Sequence, residues 1–350
     1  MRRRLLVVLA LAALAVAGAC GNDNTKAASG ASTTAAAAPV TIRLGYFPNV
    51  THATAIVGVE KGLFAKALGT DTLETKTFNA GPEATEALLS GAIDATYIGP
   101  NPAINAFVKS KGGIKIISGA TSGGAALVVK PSITSAAQLK GKKIASPQLG
   151  NTQDVALRSW LKDQGLNADP QGGGDVSIVP QENSLTLDAF KAGQIDGAWV
   201  PEPWVSRLVT DGGGKVLVDE KTLWPGGKFV TTHLIVRTAF LKDHPQTVER
   251  LLEGQVAAND YLAANAAEAQ TVVNGGILKI TQKKLADAVI ASAFKNLSFT
   301  DDPIAASLKT SADHAVAVGL LQKPDLTGIY DLTLLNSVLK AKGETAVKGL

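Results

Sequence analysis

The sequence predicts an α/β protein built as two lobes, and three observations carry that prediction. A passage is written twice: residues 89–100 and 191–202 both run from a helix end through a glycine (Gly91, Gly193) and an Ile-Asp pair. Each continues into a short apolar strand with an aromatic residue and ends in a proline-containing turn. Around both copies strand and helix alternate, the pattern of a mostly parallel sheet covered by helices. Two apolar strands, residues 125–130 and 232–237, bracket the second copy and are read as the two crossings between lobes. Lobe I then comprises residues 40–127 and 233–350 and is discontinuous; lobe II comprises residues 128–232.

Taken in order, residues 41–47 alternate as a strand does and run into Pro48-Asn49-Val50-Thr51-His52. Thr51 is the expected cap of a helix over 53–59, which Gly62 ends before Leu63 and Phe64 pack back. A strand near 73–78 leads to Pro82, whose fixed φ suits the first turn of a helix over 83–90. The first copy of the repeat follows, then a helix over 102–109 and a strand over 114–117. The second lobe reads as a short helix at 135–139, a strand at 142–145 and a helix at 152–164. A strand at 176–179, a helix at 185–192 and a strand at 195–199 complete it, with the glycine triplets 172–174 and 212–214 in loops. Beyond Arg237 the pattern is mainly helical, over 245–257, 263–273, 282–293, 303–318 and 332–340.

Arg2-Arg3-Arg4, an apolar run over 5–17 and then Gly18-Ala19-Cys20 read as a secretory signal over residues 1–19, too short for an ordinary membrane span. Residues 20–39, rich in Ala, Ser, Thr, Gly and Asn without apolar periodicity, read as a flexible tether. The net charge of +4 comes from 34 basic against 30 acidic residues, and loss of the leader's three arginines brings the balance almost to neutral. With few aromatics and no basic run, nothing argues for nucleic acid. Cys20 is the only cysteine, which excludes a disulfide framework or a cysteine-based metal site.

The most polar strand-to-helix turn is 146–154, Ser-Pro-Gln-Leu-Gly-Asn-Thr-Gln-Asp. Gly150 frees the backbone, and Asn151 or Thr152 caps a helix whose unpaired N–H groups and positive dipole end suit an oxyanion. Asn151, Thr152 and Gln153 are therefore candidate ligand residues, with Asn49 and His52 at the matching helix start across the cleft. Ser122 and Gly123, just before the first crossing strand, offer a hydroxyl and close backbone approach. Trp199 is expected to wall the cleft for a ligand tail and Glu202 to meet an ammonium group, whereas Trp204 is expected to cover core. Asp94 and Asp196 lie early in their strands and are assigned to structural hydrogen bonding. The four histidines lack metal-ligand spacing, and no nucleophile elbow, phosphate loop or dinucleotide fingerprint is present. No catalytic residue, metal or cofactor is expected.

In these segments the chain resembles the substrate-binding lipoproteins of ABC importers in the aliphatic sulfonate, taurine and nitrate group, nearest to the sulfonate binders. The matching stretches are 44–49 (Leu-Gly-Tyr-Phe-Pro-Asn), 97–103 (Tyr-Ile-Gly-Pro-Asn-Pro-Ala), 150–154 and 199–204 (Trp-Val-Pro-Glu-Pro-Trp); they add Phe47 and Asn101 to the candidate residues. The resemblance implies the periplasmic-binding-protein fold of the second type, joined by two hinge segments and closing on ligand. It also implies delivery to a membrane permease with its cytoplasmic ATPase, by a monomer. Gly18-Ala19-Cys20 resembles a lipobox, with Ala17 where Leu or Val is usual, and implies a lipid on Cys20 holding the protein to the outer face of the cytoplasmic membrane. The ligand is open among sulfonates, taurine, nitrate, bicarbonate and a thiamine-precursor pyrimidine, with an enzyme or a sensor on the same scaffold as opposing readings.

Overall fold

The computed structural model describes residues 38–171 and 173–350. The leader, Cys20 and most of the tether therefore lie outside the described residues. Eleven strands are described: β1 Thr41–Tyr46, β2 Thr72–Thr77, β3 Ala95–Ile98, β4 Ile114–Gly123, β5 Ala125–Val129, β6 Lys143–Ser146, β7 Ser177–Pro180, β8 Gly197–Pro201, β9 Lys215–Asp219, β10 Val230–Arg237 and β11 Leu297–Phe299. Between and after them run α1 Ala53–Glu60, α2 Leu63–Leu68, α3 Gly81–Leu89, α4 Pro100–Lys109, α5 Thr152–Asp163, α6 Asn183–Lys191 and α7 Trp204–Thr210. The remaining helices are α8 Thr238–Asp243, α9 Pro245–Ala264, α10 Ala266–Thr281, α11 Asp287–Lys295, α12 Ala305–Ala317 and α13 Thr333–Ala341. None of these is long and apolar enough to cross a membrane.

The strands form two mixed sheets, ordered β11-β4-β10-β3-β1-β2 and β7-β6-β8-β5-β9. In each, three strands are parallel (β2, β1, β3 and β7, β6, β8) and an antiparallel strand, β10 or β5, closes against them. Because side chains alternate along a strand, each sheet feeds two cores. On β10, Leu234 and Val236 pack towards α1, α9 and α13, while Ile235 packs towards α4 and α12. On β8, Trp199 faces one core and Ala198 and Val200 the other.

The two lobes repeat one hydrogen-bonding device. Asp94 Oδ2 accepts from the Arg43 N–H and Asp196 Oδ2 from the Lys143 N–H, each at 3.0 Å. Each carboxylate is also ion-paired, Asp94 with Arg43 and Arg237, Asp196 with Lys130. These contacts hold both carboxyls below their ordinary pKa against the opposing effect of burial, and both aspartates act as struts where the sequence assigns them. Gly91 and Gly193 take the positive φ expected after a helix, 76° and 72°.

The crossings differ from expectation. β5 pairs only with β8 and β9, and β10 only with β3, β4, so neither apolar strand spans both lobes. The chain passes between sheets at Gly123 and Gly124, and again between β9 and β10. Both glycines have positive φ, 84° and 73°, and a Cβ on Gly124 would stand 2.1 Å from Leu297 Cδ2. The Thr121-Ser122-Gly123 segment is the end of β4 rather than a free turn. Helices α2, α7 and α8 and strands β9 and β11 lack strong periodicity over their short lengths and escaped the sequence reading.

Candidate functional site

A narrow cavity, about 20 Å³ in volume, lies between the lobes. It is lined by Phe47, Asn49, Thr51, His52, Asn79, Gly99, Asn151, Thr152, Gln153, Asn183, Pro201, Thr231 and Thr232. Most of these stand at the carboxyl ends of parallel strands: after β1 and β2, after β3, after β6 and β7, and at the end of β8. This is where an open α/β sheet exposes backbone and helix starts to a ligand.

The lining carries neither an acidic nor a lysine or arginine side chain, and its histidine is neutral. His52 is buried, which lowers its pKa to about 3, and its Nδ1 lies 3.3 Å from the Phe47 N–H that donates to it. The proton therefore resides on Nε2, which is left as a donor. The Phe47 ring stacks on the imidazole at 4.3 Å. Two amides are oriented in the same way. Asn49 Oδ1 accepts from Trp204 Nε1 at 3.1 Å, and Asn151 Oδ1 accepts from the Thr152 N–H at 2.9 Å. With each acceptor engaged by a protein N–H, the Nδ2 groups of Asn49 and Asn151 remain as donors. The site is thus a set of fixed neutral donors at the start of a twelve-residue helix.

Two polar atoms of the lining, Thr152 Oγ1 and Asn183 Oδ1, are buried without a hydrogen-bond partner, a costly arrangement in a folded protein. Asp154, at the same helix start, is turned away. Its carboxylate accepts from Ser146 Oγ, the Gly150 N–H and Arg158 Nε, the last as a fully buried ion pair, so its negative charge is compensated behind the cavity.

The lobes meet at this site. Thr152 packs on Gly99 so closely that a Cβ there would stand 2.2 Å from Thr152 Oγ1. Gln148 Nε2 donates to Glu83 Oε1 at 2.8 Å, and Asn296 Nδ2 to Glu202 Oε1 at 2.7 Å.

Of the residues chosen from sequence, Phe47, Asn49, His52, Asn151, Thr152 and Gln153 line the cavity and five lie elsewhere. Trp199 belongs to the lobe II core with Trp160 and donates to Glu220, because an odd position on β8 faces α5. Glu202 is wholly buried and binds Ser206 and Asn296; burial pushes its pKa up. Asn101, inside α4, donates to the Ser311 carbonyl. Ser122 and Gly123 are taken up in the β4 ladder, and Gly123 accepts the Thr231 hydroxyl. Trp204 packs against the lobe II core as expected and in addition reaches across to donate to Asn49. Thr51 is in a short 3-10 turn ahead of α1 and is not its cap. Asn79, Asn183, Thr231 and Thr232 were missed. For Asn79 and Asn183 the signal was available, since each lies in the short stretch where a parallel strand gives way to a helix, Asn79 after β2 and Asn183 at the first position of α6.

Two sheets joined twice, with a polar cavity between facing strand ends, define a two-lobed α/β fold, and the comparison with solved structures agrees on that fold. The alkanesulfonate-binding protein SsuA from Xanthomonas axonopodis pv. citri, bound to MOPS, superposes with a TM-score of 0.69 at 21% identity, covering 82% of this chain and 96% of that one. The chain belongs to the NMT1-like family, whose model matches residues 35–274. It is 30% identical over 203 residues to the taurine-binding periplasmic protein of Escherichia coli K12, spanning 58% of this chain and 61% of that protein. It is also 29% identical over 295 residues, 81% of this chain and 88% of the other, to a protein of Brucella abortus strain 2308 named only as a candidate binding protein.

Proposed function

We propose that this chain is the substrate-binding component of an ABC importer and captures a small organic anion, an aliphatic sulfonate above all, for delivery to a membrane permease. The observation that supports this most is the set of neutral donors at the α5 start, with Thr152 Oγ1 buried and unpartnered among them. Neutral donors hold an anion without a counter-charge when several converge and water is excluded. The lining holds no carboxylate, so a zwitterion such as taurine brings an ammonium group that finds no anionic partner there. The names of the relatives, a taurine-binding and an alkanesulfonate-binding protein among them, support the same class.

In this reading lobe I is residues 39–123 with 230–350 and lobe II is 125–219. A ligand that touches both lobes favours the closed form only by its greater affinity for that form. No catalysis is assigned, and Cys20 carries a lipid that tethers the protein outside the cytoplasmic membrane. Titration calorimetry against alkanesulfonates, taurine, nitrate, bicarbonate and the pyrimidine tests the ligand class. Thr152→Asp, which keeps a helix cap but places a carboxylate at the anion's position, is expected to abolish binding in a folded protein. Undiminished binding by that variant, or turnover of any of these compounds, refutes the reading. Mass spectrometry of the membrane-extracted mature protein tests the lipid.

A further inference from the structure

The first crossing between the lobes is gripped from both sides. Strand β11 of lobe I pairs along the end of β4, with Leu297 opposite Gly123, and a Cβ on Gly123 would stand 2.8 Å from the Asn296 carbonyl oxygen. From lobe II the Glu202 N–H donates to the Gly124 carbonyl at 2.7 Å, and a Cβ on Gly124 would stand 3.4 Å from Glu202 Cγ. Glu202 and Asn296 then meet beside the glycine pair, where Asn296 Nδ2 donates to Glu202 Oε1. The second crossing carries a glycine pair of its own, Gly226 and Gly227, with φ 61° and 69°. No atom beyond its chain neighbours lies within 4 Å of a Cβ built on Gly226. Among the described residues, therefore, one crossing is clamped and the other stands clear.

We infer that Asn296 is a positioning residue for lobe closure: its amide, bonded to the buried Glu202, latches the closed form and sets the share of ligand-free protein that is closed. This rests on the reading of the chain as a protein that closes between its lobes, and not on which ligand it takes. The Glu202 carboxylate is fixed by its own lobe, where Ser206 donates to it through its N–H and its hydroxyl at 3.1 and 2.9 Å. Its Oε1 has one further acceptor position, and Asn296 fills it from lobe I. Glu202 lies just before α7 and Asn296 just after α11, two helices that pack against each other across the lobes. Parting α7 from α11 therefore parts the amide from the carboxylate. A hydrogen bond to an ionised acceptor is stronger than one between neutral groups, so its loss weighs against opening. When a ligand that touches both lobes binds the closed form, the apparent Kd is the closed-form Kd divided by the closed fraction. The latch thus acts on affinity without touching the ligand.

The test reads the lobes without ligand. Spin labels on cysteines introduced at exposed positions of lobe I and lobe II, Glu86→Cys and Ser184→Cys, report the closed and open populations by pulsed dipolar spectroscopy at pH 8. Asn296→Asp sets a second carboxylate against Glu202 and is expected to lower the closed-to-open ratio by about tenfold or more, tenfold being about 1.4 kcal/mol. Asn296→Ala, without the added charge, is expected to shift it the same way by less. Glu202→Gln combined with Asn296→Asp exchanges donor and acceptor: the glutamine amide donates to the aspartate while its oxygen takes the Ser206 N–H. That double variant is expected to return the ratio to within about twofold of wild type. Asn296 is exposed, so thermal unfolding of Asn296→Asp should stay close to wild type. A ratio unmoved by Asn296→Asp, or not recovered in the double variant, overturns the latch. In calorimetry with ethanesulfonate, affinity should fall by the factor by which the closed fraction falls, and affinity that holds while the closed fraction drops overturns the link to binding. Failure of the wild type to bind any anion of the panel overturns the anion reading and leaves the ligand-free measurement to decide the latch.

Discussion

Replacing Gly99 with alanine places a methyl group where the two lobes meet. Gly99 has φ −71° and ψ 162°, ordinary extended values that any L-residue adopts, so the substitution does not strain its own backbone. The new Cβ would stand 2.2 Å from Thr152 Oγ1 and 3.3 Å from Thr152 Cβ, and the first distance is far inside contact. Thr152 is 6% exposed and has little room to yield, and a turn about its χ1 would take the hydroxyl from the position the proposed anion site requires. The clash exists only when the lobes are together. Overpacking of this kind costs about 1 to 3 kcal/mol, all of it charged against the closed form, which corresponds to about a 5- to 150-fold loss of affinity. Calorimetry with the best ligand of the panel measures the loss, and thermal unfolding without ligand should stay close to wild type. Unchanged affinity in Gly99→Ala would show that Gly99 and Thr152 separate in the ligand-bound form and would refute the closure geometry.

Three further outcomes are expected. Trp204→Phe keeps the ring but removes the N–H that holds the Asn49 amide, so anion affinity should fall about fivefold, the effect of one hydrogen bond of about 1 kcal/mol; calorimetry showing no change would mean that Asn49 is oriented by something else. His52 stays neutral down to about pH 3, so affinity should be level from pH 5.5 to 8. A rise at pH 5.5 that disappears in His52→Gln would show an imidazolium instead. Glu220 is buried beneath Trp199 and Trp224, and burial raises its pKa to about 7 from 4.5. The folded state then holds a proton that the unfolded state releases, so this residue's contribution to stability falls as pH rises from about 4.5 to about 7. Urea unfolding of the wild type and Glu220→Gln at pH 5 and pH 8 should show the variant relatively more stable at the higher pH, by up to about 3 kcal/mol, and parallel pH curves would refute it.

The α/β class, the two lobes and most strands and long helices were legible in the sequence because each follows from local periodicity and from glycine and proline placed at element ends. The repeated Gly-x-Ile-Asp passage even located matching struts, since a carboxylate at the start of a strand binds backbone N–H groups that are close in any such unit. The start of α5 was legible for the same reason: Gly150, Asn151 and Thr152 announce a helix cap from neighbouring residues alone. What tertiary structure decided was the direction of single side chains and the meeting of distant ones. Trp199 and Trp204 flank one proline-containing turn, yet the first is wholly buried in core while the second, packed on core by one side, also reaches across the cleft. The difference lies in which face of β8 a position occupies and in where α7 turns, and the local residues specify neither. Asn49 acts as a donor because Trp204, 155 residues away, occupies its oxygen. Those relations arise from packing between lobes, where the interacting groups are far apart in the chain and no periodicity links them.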